Sequence, residues 1–345
     1  MTKPDVAHIR EAVIAARDIT AARDARRAYA RPAARLRAPT DHRLDGALAA
    51  GLAKAGVDVG QWEEELAKTR TGGRHRLEVL KADAVRQSGA RAKQLRSGVD
   101  GRRKTLELLV DTGRPAAAQH VVLDSPFLIW TRPLVTLDDS TIEPWNSRAK
   151  ILFTRSNYSG GWGTALLEDR GTEELSFYFL WDNPGDGWAL VTIDGFLVLN
   201  GFCTANSHGG FRGEGSAALG LDASLNILEW GNQPQPIAPL PQDGQSASAL
   251  KLEADSSGWF ADDDTEYALV FRGFDLRYEL LAVPPGDVLV IDVALSISYD
   301  LMDGSVEADF ATGEFDVMCP FVSIEVLADS PIARAAARPA ESSGR

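Results

Sequence analysis

The sequence predicts a basic helical region followed by an antiparallel β-sandwich of jelly-roll-like type. Three observations support this division. Lys and Arg outnumber Asp and Glu by 24 to 15 in residues 1–120, whereas Asp and Glu outnumber Lys and Arg by 33 to 9 in residues 121–330. Seven of the eight Trp lie between residues 121 and 260. Apolar residues recur at helical spacing in the first part, and short apolar runs between turn residues dominate the second.

The change of pattern sets the expected domain boundaries. Gly113-Arg114-Pro115 ends a helical pattern, and a strand-like pattern begins at His120. We therefore expect a helical region over 1–118 and a sandwich over 119–330. The Ala-, Arg- and Ser-containing tail over 331–345 is expected to be disordered.

Ala and Arg are strong helix formers and dominate the first 112 residues. The first helix is predicted to begin at Thr2 and to end before Pro32. Its apolar face would be Val6, Ile9, Val13 and Ala16. A short second helix is predicted to stop at Gly56 and carries Leu44, Leu48 and Leu52.

A long basic helix is predicted at the end of this region. Asp58 can cap its entry, with Gln61 reaching back, and Gly72-Gly73 is expected to interrupt it. From about residue 74 to 110 the helix would be roughly 55 Å long at ~1.5 Å per residue. Its thin apolar stripe is Leu77, Leu80, Ala84, Ser88, Ala92, Leu95, Val99, Leu106 and Leu109. Because such a helix is marginal alone, it needs a partner, and a coiled coil is one arrangement.

The charge of this helix allows three interpretations. Residues 74–104 hold ten Lys and Arg against three Asp and Glu. The first interpretation is a solvated helix face without a binding role. The alternatives are docking on an acidic protein surface or binding to nucleic acid or anionic lipid. Nucleic acid is disfavoured because no aromatic residues alternate with the basic ones. The simplest use of the charge split is internal, with the basic half facing the acidic half of the same chain or of a neighbour.

Two stretches of the second part are predicted to be long strands. In residues 288–299 every second position from Leu289 onward is apolar. The positions between them begin with Val288 and Val290 and then become small and polar. This pattern is typical of a sheet with one solvent-exposed face. Residues 175–181 are apolar on both faces and predict a central, covered strand. Because no amphipathic helix separates the strands, an antiparallel sheet is favoured over a parallel one.

Three breaks between strands are predicted from turn residues. Asp194-Gly195 and Asp303-Gly304 match two-residue hairpin turns, because Asp-Gly supplies the positive φ angles that such turns require. A bulge at Cys319-Pro320, on an edge strand, would explain why the apolar phase shifts within residues 315–327.

Several kinds of chemistry find no motif in the sequence. Cys203 and Cys319 are far apart and the five His have no ligand spacing, so a zinc site is not predicted. The two Cys are interpreted as buried small apolar residues. Residues 213–218 match a dinucleotide-binding glycine pattern but lack the strand–helix context that gives it meaning.

Calcium is the metal for which the sequence offers candidate ligands. Two acidic loops supply the oxygens that hard cations prefer. The candidate ligands are Asp182, Asp186, Asp262 and Asp264. The alternative is that Asn183–Gly187 is only a turn between strands.

A set of aromatic residues next to Gly- and Asp-rich segments is the candidate ligand-binding surface. An exposed aromatic ring stacks on the apolar face of a sugar, while nearby polar groups bind the hydroxyls. The residues chosen on this basis are Tyr158, Trp162, Trp188 and Trp259.

These observations favour a non-enzymatic assembly or recognition protein. Its helical region would mediate homo-oligomerisation or docking to an acidic protein partner, and its sandwich would present a binding or packing surface. The alternatives are a carbohydrate-binding module and a sandwich-fold polysaccharide hydrolase, and no catalytic residue is assigned. No cofactor is expected apart from calcium.

Location and source rest on composition alone. No long apolar run or export signal is visible, so we expect no transmembrane segment and a cytoplasmic location by default, with signal-less export left open. The Ala- and Arg-rich composition suggests a bacterial source.

Overall fold

The computed structural model describes residues 5–30, 50–111, 119–157, 168–209, 212–230, 245–259 and 262–328. Within these residues, helices come first and an antiparallel β-sandwich follows, as predicted. The two long helices are α1 (Val6–Ala30) and α2 (Val59–Asp111). A short helical segment at 50–54 precedes Gly56, whose φ is 85°. There the Val57 amide donates to the Leu52 carbonyl at 3.0 Å, so the predicted stop at Gly56 is confirmed.

Thirteen strands are described, and they form two antiparallel sheets. Sheet A contains β1 (Gln119–Leu123), β3 (Thr136–Thr141), β4 (Arg148–Ser156), β6 (Ala189–Ser207), β9 (Asp264–Val283), β11 (Gly304–Phe310), β12 (Asp316–Met318) and β13 (Val322–Ala328). Sheet B contains β2 (Leu128–Thr131), β5 (Glu168–Asp182), β7 (Arg212–Trp230), β8 (Ser246–Trp259) and β10 (Val288–Met302), in the spatial order β2-β5-β10-β7-β8.

Strand β6 organises sheet A. One of its edges pairs with β9 along nearly its full length, and the other pairs in turn with β13, β12 and β11. The predicted hairpin at Asp194-Gly195 is therefore wrong, since both residues lie inside one strand. Gly195 faces sheet B, where an added Cβ would lie 3.0 Å from Val293 and 3.4 Å from Leu225. This glycine allows close packing of the two sheets and does not form a turn.

The other two predicted breaks also differ from the structure. Asp303 has a φ of 54°, but the strands on either side of it belong to different sheets, so Asp303-Gly304 is a crossover and not a hairpin. The chain does break around Cys319-Pro320, which separates β12 from β13 and explains the shift in apolar phase. The predicted edge position is wrong, because β13 lies between β1 and β6.

The hydrophobic core lies between the inner faces of the two sheets. Leu289, Ile291 and Val293 of β10 are fully buried there, which confirms the predicted apolar face of this strand. Phe177 and Phe179 of β5 lie in the same core, and β5 is buried on both faces as predicted. Burial of so many large apolar side chains is the main driving force that holds the sheets together.

The outer face of each sheet is covered in part by one helix. On sheet B, Ile9 and Val13 of α1 pack against a cluster that includes Tyr178, Val288 and Val290. The outer side of β10 is thus buried at its apolar beginning, and it stays buried as far as Asp292 and Ala294, where the sequence predicted a solvent-exposed face. Val6 is 47% exposed, so the buried stripe of α1 runs along positions 9 and 13 and omits the predicted Val6.

Helix α2 lies on sheet A and is continuous over 53 residues, about 80 Å at ~1.5 Å per residue. The predicted interruption at Gly72-Gly73 is wrong, because both glycines lie inside the helix and are exposed. Glycine in an exposed helix costs about 1 kcal/mol relative to alanine, which contacts on either side can offset.

The predicted apolar stripe of α2 packs on the sandwich. Val99 contacts a cluster with Phe196, Val198, Met318 and Phe321, and Ala84 contacts a cluster with Phe202 and Phe315. Ser88 and Ala92 are also buried, whereas Leu109 at the end of the stripe is 42% exposed. The partner that the thin stripe needed is a β-sheet of the same chain. None of the described helices combines the length and the apolar character needed to cross a bilayer.

Candidate functional site: ionic contacts between the helices and the sandwich

Basic side chains of α2 meet acidic side chains of the sandwich at four places along the helix. Arg70 binds Asp263 with Nε–Oδ2 at 2.9 Å, and Lys81 binds Asp309 with Nζ–Oδ2 at 2.5 Å and also binds Glu307. Near the other end, Arg96 approaches Glu314 and Asp316, and Arg102 pairs with Asp275. The basic helix thus faces acidic residues of its own chain, which is the internal arrangement anticipated from the charge split.

The contact around Asp263 joins Arg70 of α2 to two loops of the sandwich. Its carboxylate accepts from Arg70 Nε at both oxygens, at 3.1 and 2.9 Å, and from the backbone amide of Gly209 at 2.7 Å. Arg70 also donates to the Gly209 carbonyl at 2.5 Å, and His208 lies 3.7 Å from Asp263. Burial acts to raise the pKa of Asp263, but hydrogen bonds from His208, Arg70 and Gly209 outweigh it and lower the pKa overall. The loop is thereby tied to α2.

Lys81 and Asp309 form a second ionic contact between α2 and the sandwich. The Asp309 side chain accepts hydrogen bonds from the amides of Ala311 and Thr312, both at 2.9 Å, so it also shapes the turn after β11. Burial acts to raise the pKa of Asp309. Hydrogen bonds from Lys81, Thr312 and Ala311 outweigh this effect, so the pKa is lowered overall. Lys81 loses solvent in this position, yet its bonds to Asp309 and Glu307 raise its pKa. Both groups are therefore held in their charged forms.

The pKa of Asp316 is raised, unlike those of Asp263 and Asp309. It lies in β12 beneath α2, is only 3% exposed, and sits 4.0 Å from Arg96 Nη2. Burial raises its pKa to about 6, because the surrounding basic groups compensate only in part. Asp316 is thus a buried carboxyl group whose charge is unfavourable at neutral pH.

Helix α1 contacts sheet B through Arg17 and through an apolar face that includes Ile9 and Val13. Arg17 Nε donates to the Tyr178 hydroxyl at 2.6 Å, and its Nη2 contacts both Asp292 and Glu174, the latter at 3.2 Å. Its guanidinium carbon lies 6.0 Å from the centre of the Trp130 ring and 5.7 Å from that of Tyr178. We call the group formed by Trp130, Glu174, Tyr178 and Asp292 the Arg17 pocket.

Asp292 is the least accessible charged group of this pocket. Its side chain is fully buried on the central strand β10, and Asn226 Nδ2 approaches Oδ2 at 3.5 Å. Burial raises the pKa of Asp292, and the neighbouring Glu174 carboxylate adds to this, while Arg17 opposes it. Arg17 therefore contacts both carboxylates, and Arg132 Nε approaches Glu174 Oε2 at 4.0 Å.

A shallow hollow lies farther along the outer face of sheet B. It has a volume of about 270 Å³, and the residues around it include Gly220, Asp222, Ser248, Lys251, Ser298 and Asp300. The hollow is open to solvent, and apolar atoms form most of its exposed lining.

The structure places the predicted calcium ligands in two separate loops. Around Asp182 and Asp186, the Asn183 amide donates to the carbonyls of Gly187, Val283 and Pro284 at 2.9–3.1 Å, so this amide holds the turn together. Asp264 accepts from the backbone amide of Asp255 at 3.1 Å, and Asp262 is exposed. Across the described part of the chain, no group of three or more His, Cys, Asp or Glu is placed to hold a metal ion. Calcium binding stays a prediction.

Of the predicted aromatic residues, Trp188 is the one whose side chain can be placed. It is 37% exposed and follows the exposed Asp186. Tyr158 and Trp162 lie outside the described residues, and of Trp259 only the backbone, at the end of β8, is described.

The two cysteines are free and buried, which confirms their interpretation as small apolar residues. Burial raises the pKa of both thiols, so neither is poised as a nucleophile.

Sequence reasoning missed Arg17, Glu174, Tyr178 and Asp292 as a group. One signal was present, since Asp292 is a lone charge in the middle of an apolar strand. Its partner was hidden, because Arg17 and Asp292 are 275 positions apart in the sequence. Only the fold brings them together.

No protein-family model matches this chain, and no curated protein matches it either. Among solved structures, a chain of infectious bursal disease virus Gt strain aligns with 58% of this chain and 36% of its own length, at 11% identity and a TM-score of 0.14. An aminopeptidase from a marine sediment archaeon, Thaumarchaeota archaeon, aligns at 10% identity and a TM-score of 0.17, over 58% of this chain and 37% of the other.

A xylan-binding domain from Paenibacillus barcinonensis aligns at 11% identity and a TM-score of 0.13, over 54% of this chain and 97% of that domain. This chain thus spans little more than a third of the virus and archaeal chains. At these TM-scores the likenesses identify neither a family nor a function.

Proposed function

We propose that this protein is a non-enzymatic assembly or recognition protein, in which basic helices dock on acidic β-sheet surfaces. The observation that carries the proposal is the placement of α2 along sheet A. Its basic side chains meet acidic ones at Asp263, Asp309 and Asp275, and a stripe of buried apolar residues lies between these points. Such pairing of a charged rim with an apolar centre is typical of a docking interface.

The charge that remains favours a further partner. Residues 121–330 carry 24 more acidic than basic side chains, far more than the contacts with the helices neutralise. Arg74 and Arg76 are exposed on α2, so they form a positively charged patch on the helix. A second copy of the chain offers both surfaces at once, so complementary charges would steer two copies together.

The groups that a hydrolase would need are already engaged. Glu174 and Asp292 both contact Nη2 of Arg17, and His208 and Asp263 are tied to α2 by Arg70. A carboxylate pair that is already bound by an arginine of the same chain supports a structural role more than an acid–base role.

Trp188 supports a carbohydrate-binding module as the second candidate. An indole that is 37% exposed next to an acidic turn is suited to stacking on a sugar ring. A glycan array with the intact protein tests this candidate. Trp145, whose ring packs 5.5 Å from that of Phe321, provides the control. Binding that is lost in Trp188→Ala but kept in Trp145→Phe would favour sugar recognition, and absence of binding by the wild type would remove this candidate.

Co-purification of two differently tagged copies tests the assembly proposal. The tagged copies should elute together at 25 mM NaCl and separate at 500 mM, because surface charge interactions are screened by salt. The double variant Arg74→Glu/Arg76→Glu should reduce co-elution at least severalfold. The control Arg10→Glu/Lys251→Glu changes net charge equally elsewhere and should reduce it less. Equal recovery at both salt concentrations, or equal loss in both variants, would contradict the proposal.

A further inference from the structure

The contact of α1 with sheet B resembles that of a short helical ligand in a groove. Ile9, Val13 and Arg17 are spaced by four residues and therefore lie on one face of the helix. The first two are buried in the apolar cluster, and Arg17 enters the pocket beyond it. Ala12 and Ile14 also pack against the cluster. A spacing of four residues is the one by which amphipathic helices bind grooves.

The pocket is built by the sheet and not by the helix. Trp130 comes from β2, Glu174 and Tyr178 from β5, and Asp292 from β10, so three neighbouring strands fix the positions of its walls. Within it, Ser176 Oγ donates to Glu174 Oε1 at 2.8 Å, and this bond orients the carboxylate. A pocket held by paired strands keeps its shape when its occupant leaves.

The chemistry of the pocket matches a guanidinium group. Arg17 makes a hydrogen bond to a phenol oxygen, contacts two carboxylates through one nitrogen, and lies near two aromatic rings. A planar cation with several donors satisfies all of these, whereas an ammonium ion has neither the planar shape nor the fork of donors.

The pocket also holds more negative charge than its occupant neutralises. Arg17 contacts both Glu174 and Asp292, and Arg132 Nε lies 4.0 Å from Glu174 only. Oδ1 of the fully buried Asp292 has no hydrogen-bond partner among the described residues. A buried carboxylate of this kind is costly, and an apolar residue would stabilise the fold better. The unused acceptor points to a site for a cationic ligand.

We propose that the Arg17 pocket is a binding site for arginine side chains, in which Arg17 of α1 is a tethered and displaceable ligand. The external ligand would be an arginine presented by another polypeptide, which α1 excludes while it is docked. This inference does not depend on the assembly proposal, because it concerns the opposite face of the sandwich.

Chemical rescue of the full-length Arg17→Ala variant tests the site. Methylguanidinium chloride should raise the Tm of this variant in a saturable way, by about 2–4 °C, since a ligand that binds only the folded state stabilises it. Methylammonium and sodium chloride at the same concentrations should have much smaller effects. Two controls should show no rise in Tm. The wild type has a filled site, and Arg10→Ala alters an exposed residue of the same helix.

A second substitution confirms that the pocket is responsible. Arg17→Ala/Asp292→Asn should lose the methylguanidinium response. If the double variant responds as strongly as Arg17→Ala, or if Arg17→Ala responds no more than the wild type, the proposal is wrong. Since methylguanidinium weakens folding in general, a rise in Tm is opposite in sign to its non-specific effect.

A variant that keeps the positive charge covers the case in which Arg17→Ala does not fold. In Arg17→Lys, methylguanidinium should compete with the ammonium group and release α1. Cleavage after position 17 by a lysine-specific protease should then become severalfold faster than in an equal concentration of NaCl. An unchanged cleavage rate would show that the pocket has no preference for guanidinium, which contradicts the proposal.

Discussion

Arg70 and Asp263 lie 193 positions apart in the sequence, and the Nε–H group of Arg70 is shared between both carboxylate oxygens of Asp263. The same arginine donates to the carbonyl of Gly209, whose amide donates to Asp263. One residue of α2 thus holds together two loops of the sandwich. The contact joins the basic and acidic parts of the chain at the level of single atoms.

A double-mutant cycle on this pair measures the strength of the tie. Arg70→Ala and Asp263→Ala should show a coupling energy of about 1–2 kcal/mol in urea unfolding, since the pair is partly buried and charge-assisted. Lys68 and Glu64, both 70% exposed on the same helix, form the matched control. Their coupling should be about 0.3–0.5 kcal/mol. Equal coupling energies for the two pairs would show that Arg70 is not an anchor.

Two valines of α2 test whether its predicted stripe is the docking surface. Val99 is 3% exposed and Val79 is 46% exposed. Val99→Ala should lower the free energy of unfolding by about 1–2 kcal/mol, because it leaves a cavity against Phe196 and Phe321. Val79→Ala should change it by less than about 0.5 kcal/mol. Urea unfolding followed by circular dichroism provides both values, and a Val79 effect as large as that of Val99 would argue against docking through this face.

Asp316 predicts a specific pH dependence. Its pKa is raised from 3.8 to about 6 in the folded protein, so the folded state holds the proton more tightly than the unfolded state. The stabilisation from this proton is fully present below pH 4 and is lost as the pH rises through 6. Asp316→Asn should therefore stabilise the protein by about 1–3 kcal/mol at pH 7.5, and by little at pH 4.

The control for this substitution is Asp300→Asn, because the Asp300 side chain is 55% exposed. Its effect should be small and nearly the same at both pH values. Unfolding free energies measured every half pH unit give the two difference curves. A constant difference for Asp316→Asn would show that the raised pKa is absent.

Leu280 predicts a stabilising substitution. It has a φ of 58° in β9 and is 60% exposed, next to a register shift between β6 and β9. A leucine in the left-handed region carries about 1–2 kcal/mol of strain. Leu280→Asn should raise stability by about 0.5–1 kcal/mol, because asparagine tolerates this conformation. Leu269→Asn, at an exposed position without a positive φ, should not raise stability. A loss of stability in Leu280→Asn would contradict the assignment of strain.

The sequence predicted features that depend on local periodicity. The apolar alternation beginning at Leu289, the end of a helix at Gly56 and the stripe around Val99 are set by neighbours in the chain, and the structure confirms them. Asp58 also accepts the hydrogen bond from the Gln61 backbone amide that capping requires, at 3.0 Å. The Gln61 side chain was expected to reach back to the cap, but it donates to Glu65 at 3.3 Å instead. Such signals are readable because the physical cause lies within a few residues.

The failures have a common physical origin in long-range packing. Asp194-Gly195 resembled a turn, but its glycine is required by Val293 on the opposite sheet. Gly72-Gly73 resembled a helix end, yet α2 continues through them, with Arg70 held by Asp263 on one side. The Arg17 pocket could not be predicted, because its walls come from three separate strands and Arg17 comes from a fourth segment. In each case the deciding contact lies far away in the sequence.

The molar mass in solution tests the central claim most directly. Light scattering coupled to size-exclusion chromatography should show a mass of at least twice 37.2 kDa at 25 mM NaCl and a shift towards 37.2 kDa at 500 mM. The salt dependence should be reduced in Arg74→Glu/Arg76→Glu. A mass of one chain at both salt concentrations, over a hundredfold range of protein concentration, would contradict assembly through opposite charges.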